Sequence, residues 1–291
     1  MSRPYLAWIV VCLVWGTTYL GIRIALESIP PFLMAAMRWI TAGGLLVAVL
    51  RSRGERIPGR SEWPSLLVLG ILLLGFGNGA VVFAQQTVPS GLTSVLVAAA
   101  PFWMVGTERV LGGAERLTLM RGTGLVVGFA GIVLLVWPEL QSTSGDRSGG
   151  AFLVGVAATQ LACLGWSIGS SYSRRRQQSE NVLAAASLQM LFAGVVLLVL
   201  GTLAGEWSSL RFTTRTASAL VYLTLFGSII GYSSYIYALK HLPVSTVSLY
   251  AYVNPVIAVL LGTIVLNEPL SPRIALAGAV VFVGSWLVKR T

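Results

Sequence analysis

Charge is scarce in this sequence, acid scarcer than base, and histidine almost missing. Ten Asp and Glu, twenty Lys and Arg and the single His241 are spread over 291 residues. A soluble domain carries roughly 25% charged residues to solvate its surface, whereas this chain carries 10%. One histidine and so few acids leave nothing from which to assemble a Ser-His-Asp hydrolase or a metalloenzyme centre. The two cysteines, Cys12 and Cys163, both fall in apolar runs, which excludes a disulfide framework and a Cys-based zinc site. No catalytic residue, no metal ligand and no cofactor is expected.

What is abundant is apolar. Hydrophobic residues make up 55% of the chain and mean hydropathy is +0.80, so lipid must be the main solvent. A helix needs about 20 mostly apolar residues to cross the hydrocarbon. Runs of that kind fall at 5–26, 32–50, 64–86, 90–111, 119–137, 150–173, 182–204, 216–239, 243–266 and 273–289. The first is too long for a signal-peptide core and lacks a small-x-small cleavage site, so it reads as a spanning helix. Pro30-Pro31, Pro58-Gly59, Pro89-Ser90-Gly91, Gly112-Gly113, Pro243 and Pro269 punctuate the connections.

A net charge of +10 would suggest a nucleic-acid partner in a soluble protein. In a membrane protein its distribution matters instead, and no nucleic-acid partner is expected. Arg3, Arg51, Arg53, Arg56, Arg60, Arg109, Arg116, Arg121, Arg174, Arg175, Arg176, Lys240, Lys289 and Arg290 share one side. Arg23, Arg147, Arg211, Arg215 and Arg273 share the other. The basic side faces the cytoplasm, which puts both termini inside.

The sequence also repeats itself. An offset of 151 residues brings Cys12 onto Cys163, Trp15 onto Trp166 and Arg23 onto Arg174. An offset of 154 brings Gly77 onto Gly231, Ala84 onto Ala238, Pro89 onto Pro243, Ser94 onto Ser248 and Pro101 onto Pro255. At 153, Glu115 meets Glu268, Leu117 meets Leu270 and Gly131 meets Gly284. The expected organisation is a first five-helix repeat over 1–140, a periplasmic connector over 141–149 and a second repeat over 150–291. Five is odd, so the second repeat enters the membrane inverted. The fold class expected is an all-α integral membrane protein of ten transmembrane helices in two inverted repeats, an architecture of secondary transporters whose substrate sites lie near the midplane.

Candidate residues follow from what is costly in lipid. Arg38, inside the second span, costs about 2.5–3.5 kcal/mol at membrane depth on insertion scales. Three uses are open to it: holding a substrate carboxylate, pairing with Glu27, or snorkelling to the nearby surface. Trp15, Thr18 and Tyr19 in span one and Trp166 in span six place indole N–H and hydroxyl groups at mid-membrane, where they line a cavity or serve helix packing. Asn78, among Gly75, Gly77 and Gly79, is a buried amide. Pro101 and Pro255 interrupt spans four and nine as hinges or kinks. Trp103, Tyr250, Tyr252 and Asn254 cluster around them as a pocket wall or as ordinary packing. Of Tyr232, Tyr235 and Tyr237, not all can face one cavity at 3.6 residues per turn. Gly122, Gly124, Gly128 and Gly131 have small-xxx-small spacing for helix association, read as intramolecular. No Asp or Glu lies in the central third of a span, which argues for a neutral, zwitterionic or anionic cargo.

Four segments carry a family likeness: Val14-Trp15-Gly16-Thr17-Thr18-Tyr19, Val88-Pro89-Ser90-Gly91, Tyr250-Ala251-Tyr252-Val253-Asn254-Pro255-Val256 and Leu266-Asn267-Glu268-Pro269-Leu270. They resemble EamA-type permeases of the drug/metabolite transporter superfamily. The resemblance implies a ten-helix inverted-repeat fold in the bacterial inner membrane with cytoplasmic termini. It also implies export of amino acids or related small metabolites through a cavity built by helices one, three, four, six, eight and nine. That set includes Trp15, Tyr19, Asn78, Trp103, Trp166, Tyr235, Tyr250 and Asn254, and leaves Arg38 on helix two outside it. The superfamily's four-helix cation exporters use a Glu on their first helix. Span one has none, so their coupling does not carry over. The expected function is alternating-access export of a small-molecule substrate, with a multidrug or lipophilic-compound exporter as the alternative and a membrane enzyme or scaffold as the remote ones. The expected partners are that substrate and the bilayer. The sequence does not choose between monomer and homodimer.

Overall fold

The structure, a computed structural model, describes residues 2–110, 118–141, 147–175, 181–242, 244–247 and 249–289. Glu115, Leu117, Pro243, Ser248 and most of the 141–149 connector lie outside them. Every regular element among the described residues is helical. In chain order these are α1 (Arg3–Ala25), α2 (Pro31–Ser52), α3 (Trp63–Ala84), α4 in two segments (Ser90–Val97 and Ala100–Val110), α5 (Leu119–Gln141), α6 (Arg147–Arg175), α7 (Val182–Leu203), α8 (Thr214–His241), α9 in two segments (Val244–Val247 and Tyr250–Leu266) and α10 (Pro272–Lys289). Seven, α1 to α4 and α6 to α8, are long and apolar enough to cross a membrane; α5, α9 and α10 contribute shorter apolar helices.

Local chemistry starts and stops these helices. Pro4, Pro31 and Pro64 stand in the first positions of α1, α2 and α3, where a missing amide N–H costs nothing. The Asn181 side chain accepts from Leu183 N and Ala184 N at the start of α7. Thr213 and Thr216 form a reciprocal capping box at the start of α8. Two carboxylates cap helices far away in sequence. Glu206 accepts from Phe32 N and Leu33 N at the head of α2, at 3.2 and 2.8 Å. Glu268 accepts from Ser90 N and Gly91 N at the head of α4, at 2.7 and 3.0 Å.

These contacts gather the turns into two ends. Glu27 accepts from Arg215 Nε at 3.1 Å, and Arg23 donates to the carbonyls of Gln85 and Gln86. The α1–α2, α3–α4, α7–α8 and α9–α10 turns thus share one end. At the other, Asn181 donates to Glu55 at 3.0 Å and Arg175 meets Glu108 at 3.3 Å.

Two helices depart from the regular winding the sequence suggests. Residues Gly70–Asn78 of α3 and Leu223–Tyr232 of α8 are wound as wide π-helix, and the two stretches coincide, to within a residue, under the 154-residue offset. Wide turns of this kind concentrate at functional sites. The interruption of α4 falls at Ala98–Ala99, just before Pro101, rather than at the proline itself. Pro101 has no amide to give to Val97 O one turn back, and that carbonyl faces Cys163 Sγ at 3.9 Å. Pro255 lies buried inside the second segment of α9.

The broadest helix contacts are α2 on α7 and α5 on α10, and both are reciprocal. A Cβ on Gly43 would lie 2.7 Å from Ser187 O and 2.9 Å from the Leu191 side chain. One on Gly194 would meet Ile40 at 2.6 Å and Ala36 O at 3.3 Å. Each of those residues is its counterpart at the 151 offset. On α5 and α10, Gly131 faces Val281 and Ala277 O, while Gly284 faces Gly128 and Gly124 O. The small-residue spacing on α5 therefore serves contact within the chain. Buried apolar side chains form two main bodies, one drawn chiefly from α1, α2, α3, α7 and α8 and the other from α4, α5, α6 and α10.

Candidate functional site

Against the first of those bodies lies a chamber of about 80 Å³, lined by residues of α1, α2, α3, α4, α6, α8 and α9. That is room for several water molecules. Trp15, Thr18, Tyr19, Asn78, Trp166, Tyr250 and Asn254 line it, and so does Arg38. No described Asp or Glu does.

An aromatic cluster forms one wall. The Trp15 ring lies 5.6 Å from Trp166, 5.1 Å from Tyr235 and 5.2 Å from Tyr250, the first and last as edge-to-face pairs. Offsets of this kind suit the quadrupoles of the rings. Trp15 is fixed further by its indole N–H, which donates to Gly227 O at 3.1 Å in the wide segment of α8. Gly231, one turn on, leaves room for the same indole, and Gly77 in α3 does so for Trp166. In span one, Thr18 donates to its own helix at Trp15 O, 2.8 Å away. The Asn254 amide, oriented to satisfy its neighbours, donates to Cys12 O at 2.9 Å and Tyr250 O at 3.1 Å, clipping α9 to α1.

Arg38 corrects the sequence expectation. It is 2% exposed, so it does not snorkel. Nor does it pair with Glu27, whose carboxylate takes Arg215 Nε on both oxygens at 3.1 Å. Arg38 Nε instead donates to Ser228 Oγ at 2.6 Å, and its guanidinium carbon sits 4.5 Å from the Trp39 ring centroid. Gly227 leaves the space it fills: a Cβ there would lie 2.9 Å from Arg38 Nη2 and from Thr18 Cγ2. At the counterpart position Gln189 accepts from the Tyr232 hydroxyl, so that polar group is satisfied without charge.

Three expected lining residues lie elsewhere. Trp103 points away from the chamber: its indole donates to Gln160 Oε1 at 3.0 Å and packs on Phe129. Tyr252 lies against Phe282 of α10 at 5.8 Å. A residue's side of a helix follows from its register, and both fall on the α5–α10 side. Tyr235 does not line the chamber but backs its wall, touching Trp15, Trp166 and Tyr250. Tyr237 packs at a tilt against His241 instead, 4.3 Å between ring centroids. Of the three span-eight tyrosines weighed for the cavity it is Tyr232 that lines the chamber, and sequence reasoning passed over Trp39 and Cys163, which line it too. Trp39 adjoins Arg38 and Cys163 lies one turn before Trp166 on the same face, so adjacency was the available signal.

Seven of the helices are long and apolar enough to cross a membrane, and the chamber among the helices has aromatic and polar walls. The EamA-like transporter family profile matches residues 2–137 and again 153–290, and the chain belongs to that family. It is 38% identical over 272 residues to YedA, an inner membrane transporter of Escherichia coli K12 described as uncharacterized, covering 93% of this chain and 85% of that one. The transporter YvbV of Bacillus subtilis, also described as uncharacterized, is 26% identical, covering all of this chain and 92% of its own length. A solved crystal structure superposes with a TM-score of 0.68, covering 99% of this chain and 96% of the other; at 22% identity the likeness is one of fold.

Proposed function

We propose that the protein is a secondary transporter of the bacterial inner membrane that exports small metabolites, amino acids or related compounds, by alternating access through the chamber between α1, α2, α3, α4, α6, α8 and α9. In this reading it has ten spans in two inverted five-helix halves, with both termini cytoplasmic. The double family match, the coincidence of the two wide segments and the reciprocal glycine contacts support the duplication. Two halves of one design offer two arrangements of similar energy around a fixed site.

The observation that carries the reading is the chamber itself, lined by residues of seven helices and free of described carboxylates. Its small volume favours a small cargo over a bulky lipophilic compound, and the outward direction follows the family likeness. The test is counterflow in proteoliposomes: saturable exchange of labelled amino acids across the bilayer is expected. Resistance to unrelated dyes with no amino-acid exchange would replace this reading with a multidrug exporter.

A further inference from the structure

The seam between α4 and α6 starts at the chamber and ends at a carboxylate. At chamber level Cys163 Sγ faces Val97 O at 3.9 Å, and both residues line the cavity, as do Ala100 on α4 and Trp166 on α6. Seven residues on from Ala100 stands Thr107, and seven on from Cys163 stands Ser170. Two turns return a side chain to the same face of a helix, so both continue the chamber-lining stripes toward the helix C-termini. There Glu108 of α4 accepts from the Ser171 hydroxyl and from Arg175 Nη2 of α6, the latter at 3.3 Å.

The stretch between these contacts is polar and buried: Thr107, Ser167, Ser170 and Ser171 are all enclosed. Ser167 donates back to its own helix at Cys163 O, 2.7 Å away, which is how a hydroxyl is commonly satisfied in a helix. Thr107 Oγ1 and Ser170 Oγ have no partner among the described residues. The repeat supplies a contrast. Under the 151 and 154 offsets the matching seam joins α1 and α9. There Ser167, Ser170, Ser171, Thr107 and Glu108 correspond to Gly16, Tyr19, Leu20, Leu261 and Gly262, of which only Tyr19 has a polar side chain. Close packing shuts that seam: a Cβ on Gly16 would lie 2.8 Å from Ile257 Cβ. Packing alone therefore does not require the hydroxyls and the carboxylate of the α4–α6 seam.

We propose that cargo passes between the chamber and the cytoplasmic face along the α4–α6 seam, over Ser167, Ser170 and Thr107. Glu108, bridging Ser171 and Arg175, is the latch that holds the seam shut in this structure. Hydroxyls along a closed seam become partners for water and a polar solute when it parts. Parting breaks the charge-assisted contacts of the carboxylate, which are stronger than neutral ones, so the latch sets the population of the open state. The Glu108 end is the cytoplasmic one in the proposed orientation. This rests on the transport reading and gives its chamber a route.

Ser170→Cys and Leu161→Cys are each placed in full-length protein carrying Cys12→Ala and Cys163→Ala. Both are labelled with a charged, membrane-impermeant methanethiosulfonate in inside-out and right-side-out vesicles. Leu161 is on the same helix but 48% exposed, where lipid keeps a charged reagent away. Ser170→Cys is expected to react from the cytoplasmic side only, and its labelling to stop counterflow of a labelled amino-acid mixture. Glu108→Gln should speed the reaction about tenfold or more, the effect of losing one charge-assisted bond. Arg175→Gln, at a side chain 42% exposed, should speed it several-fold and serves if Glu108→Gln does not fold. Leu161→Cys should stay unlabelled throughout. Counterflow by the wild type with Ser170→Cys inert in every background overturns the route and leaves the transporter. Reaction from the opposite face, or labelling that spares counterflow, also overturns the route. A rate that neither latch variant changes overturns the latch. Absence of counterflow in the wild type overturns the transport reading, and any cargo route with it, whatever the labelling shows.

Discussion

Gly43 and Gly194 each occupy the place where the other's helix comes nearest. Gly43 lies under Ser187 O and Leu191 of α7, and Gly194 under Ala36 O and Ile40 of α2. Lipid gives no hydrophobic drive to helix association, so close backbone approach and packing must hold α2 to α7. Gly43→Leu and Gly194→Leu should each lower stability by about 1–3 kcal/mol through overpacking. Gly44→Leu, next door with nothing within 4 Å of its Cβ position, should change it little. Thermal unfolding in detergent reads the contrast, and equal effects of Gly43→Leu and Gly44→Leu would refute it.

The two long-range carboxylate caps should matter more than the exposed ion pair beside them. Glu268 accepts two amide N–H groups at the head of α4, where negative charge also meets the positive helix end. Glu268→Gln should cost about 1–3 kcal/mol. Glu27 and Arg215 are 44% and 53% exposed, and Glu27→Gln should cost under about 1 kcal/mol. Chemical unfolding of the two variants side by side decides the order.

Much of this was legible because lipid makes polarity expensive. The apolar runs marked helices, and a buried Arg38, Asn78 and Trp15 stood out as groups that need a reason. What stayed hidden depends on winding and register. An inserted residue in α3 or α8 leaves no mark in hydropathy, so the wide segments at Gly70–Asn78 and Leu223–Tyr232 could not be read. They also shift which residues face inward, which is how Tyr232 comes to line the chamber while Tyr235 backs it. Trp103 and Tyr252 were misjudged because a proline nearby says that a helix is interrupted, not which way its neighbours turn. The partner of Arg38 was sought nearby at Glu27, whereas packing supplied Ser228 from the other end of the chain.

Gly227 should be a sensitive position for cargo binding. A methyl there meets Arg38 Nη2 and Thr18 Cγ2 at 2.9 Å, so Gly227→Ala must displace the guanidinium that Ser228 anchors. With Arg38 in the chamber wall, KM for cargo should rise about tenfold or more, since a displacement of about 1 Å has large effects on an oriented contact. Protein yield should remain near wild type. Trp103→Phe removes a bond to Gln160 outside the chamber and should leave KM unchanged while costing about 1 kcal/mol of stability. Counterflow kinetics separate the two, and an altered KM for Trp103→Phe would relocate the wall.

Cys163 offers a built-in reporter of the chamber. It lines the cavity, whereas Cys12, equally buried, does not. A Cys12→Ala chain therefore keeps one thiol, placed beside Trp166 and the freed carbonyl of Val97. A small water-soluble methanethiosulfonate should react with it slowly, because Cys163 is only 2% exposed. Saturating cargo should slow the reaction further, by about [L]/Kd once cargo is in excess, since only the free site reacts. In inside-out and right-side-out vesicles the thiol should become reachable from both faces if the chamber opens alternately. Labelling from one face alone, unaffected by cargo, would mean that Cys163 does not share a chamber with the transported molecule.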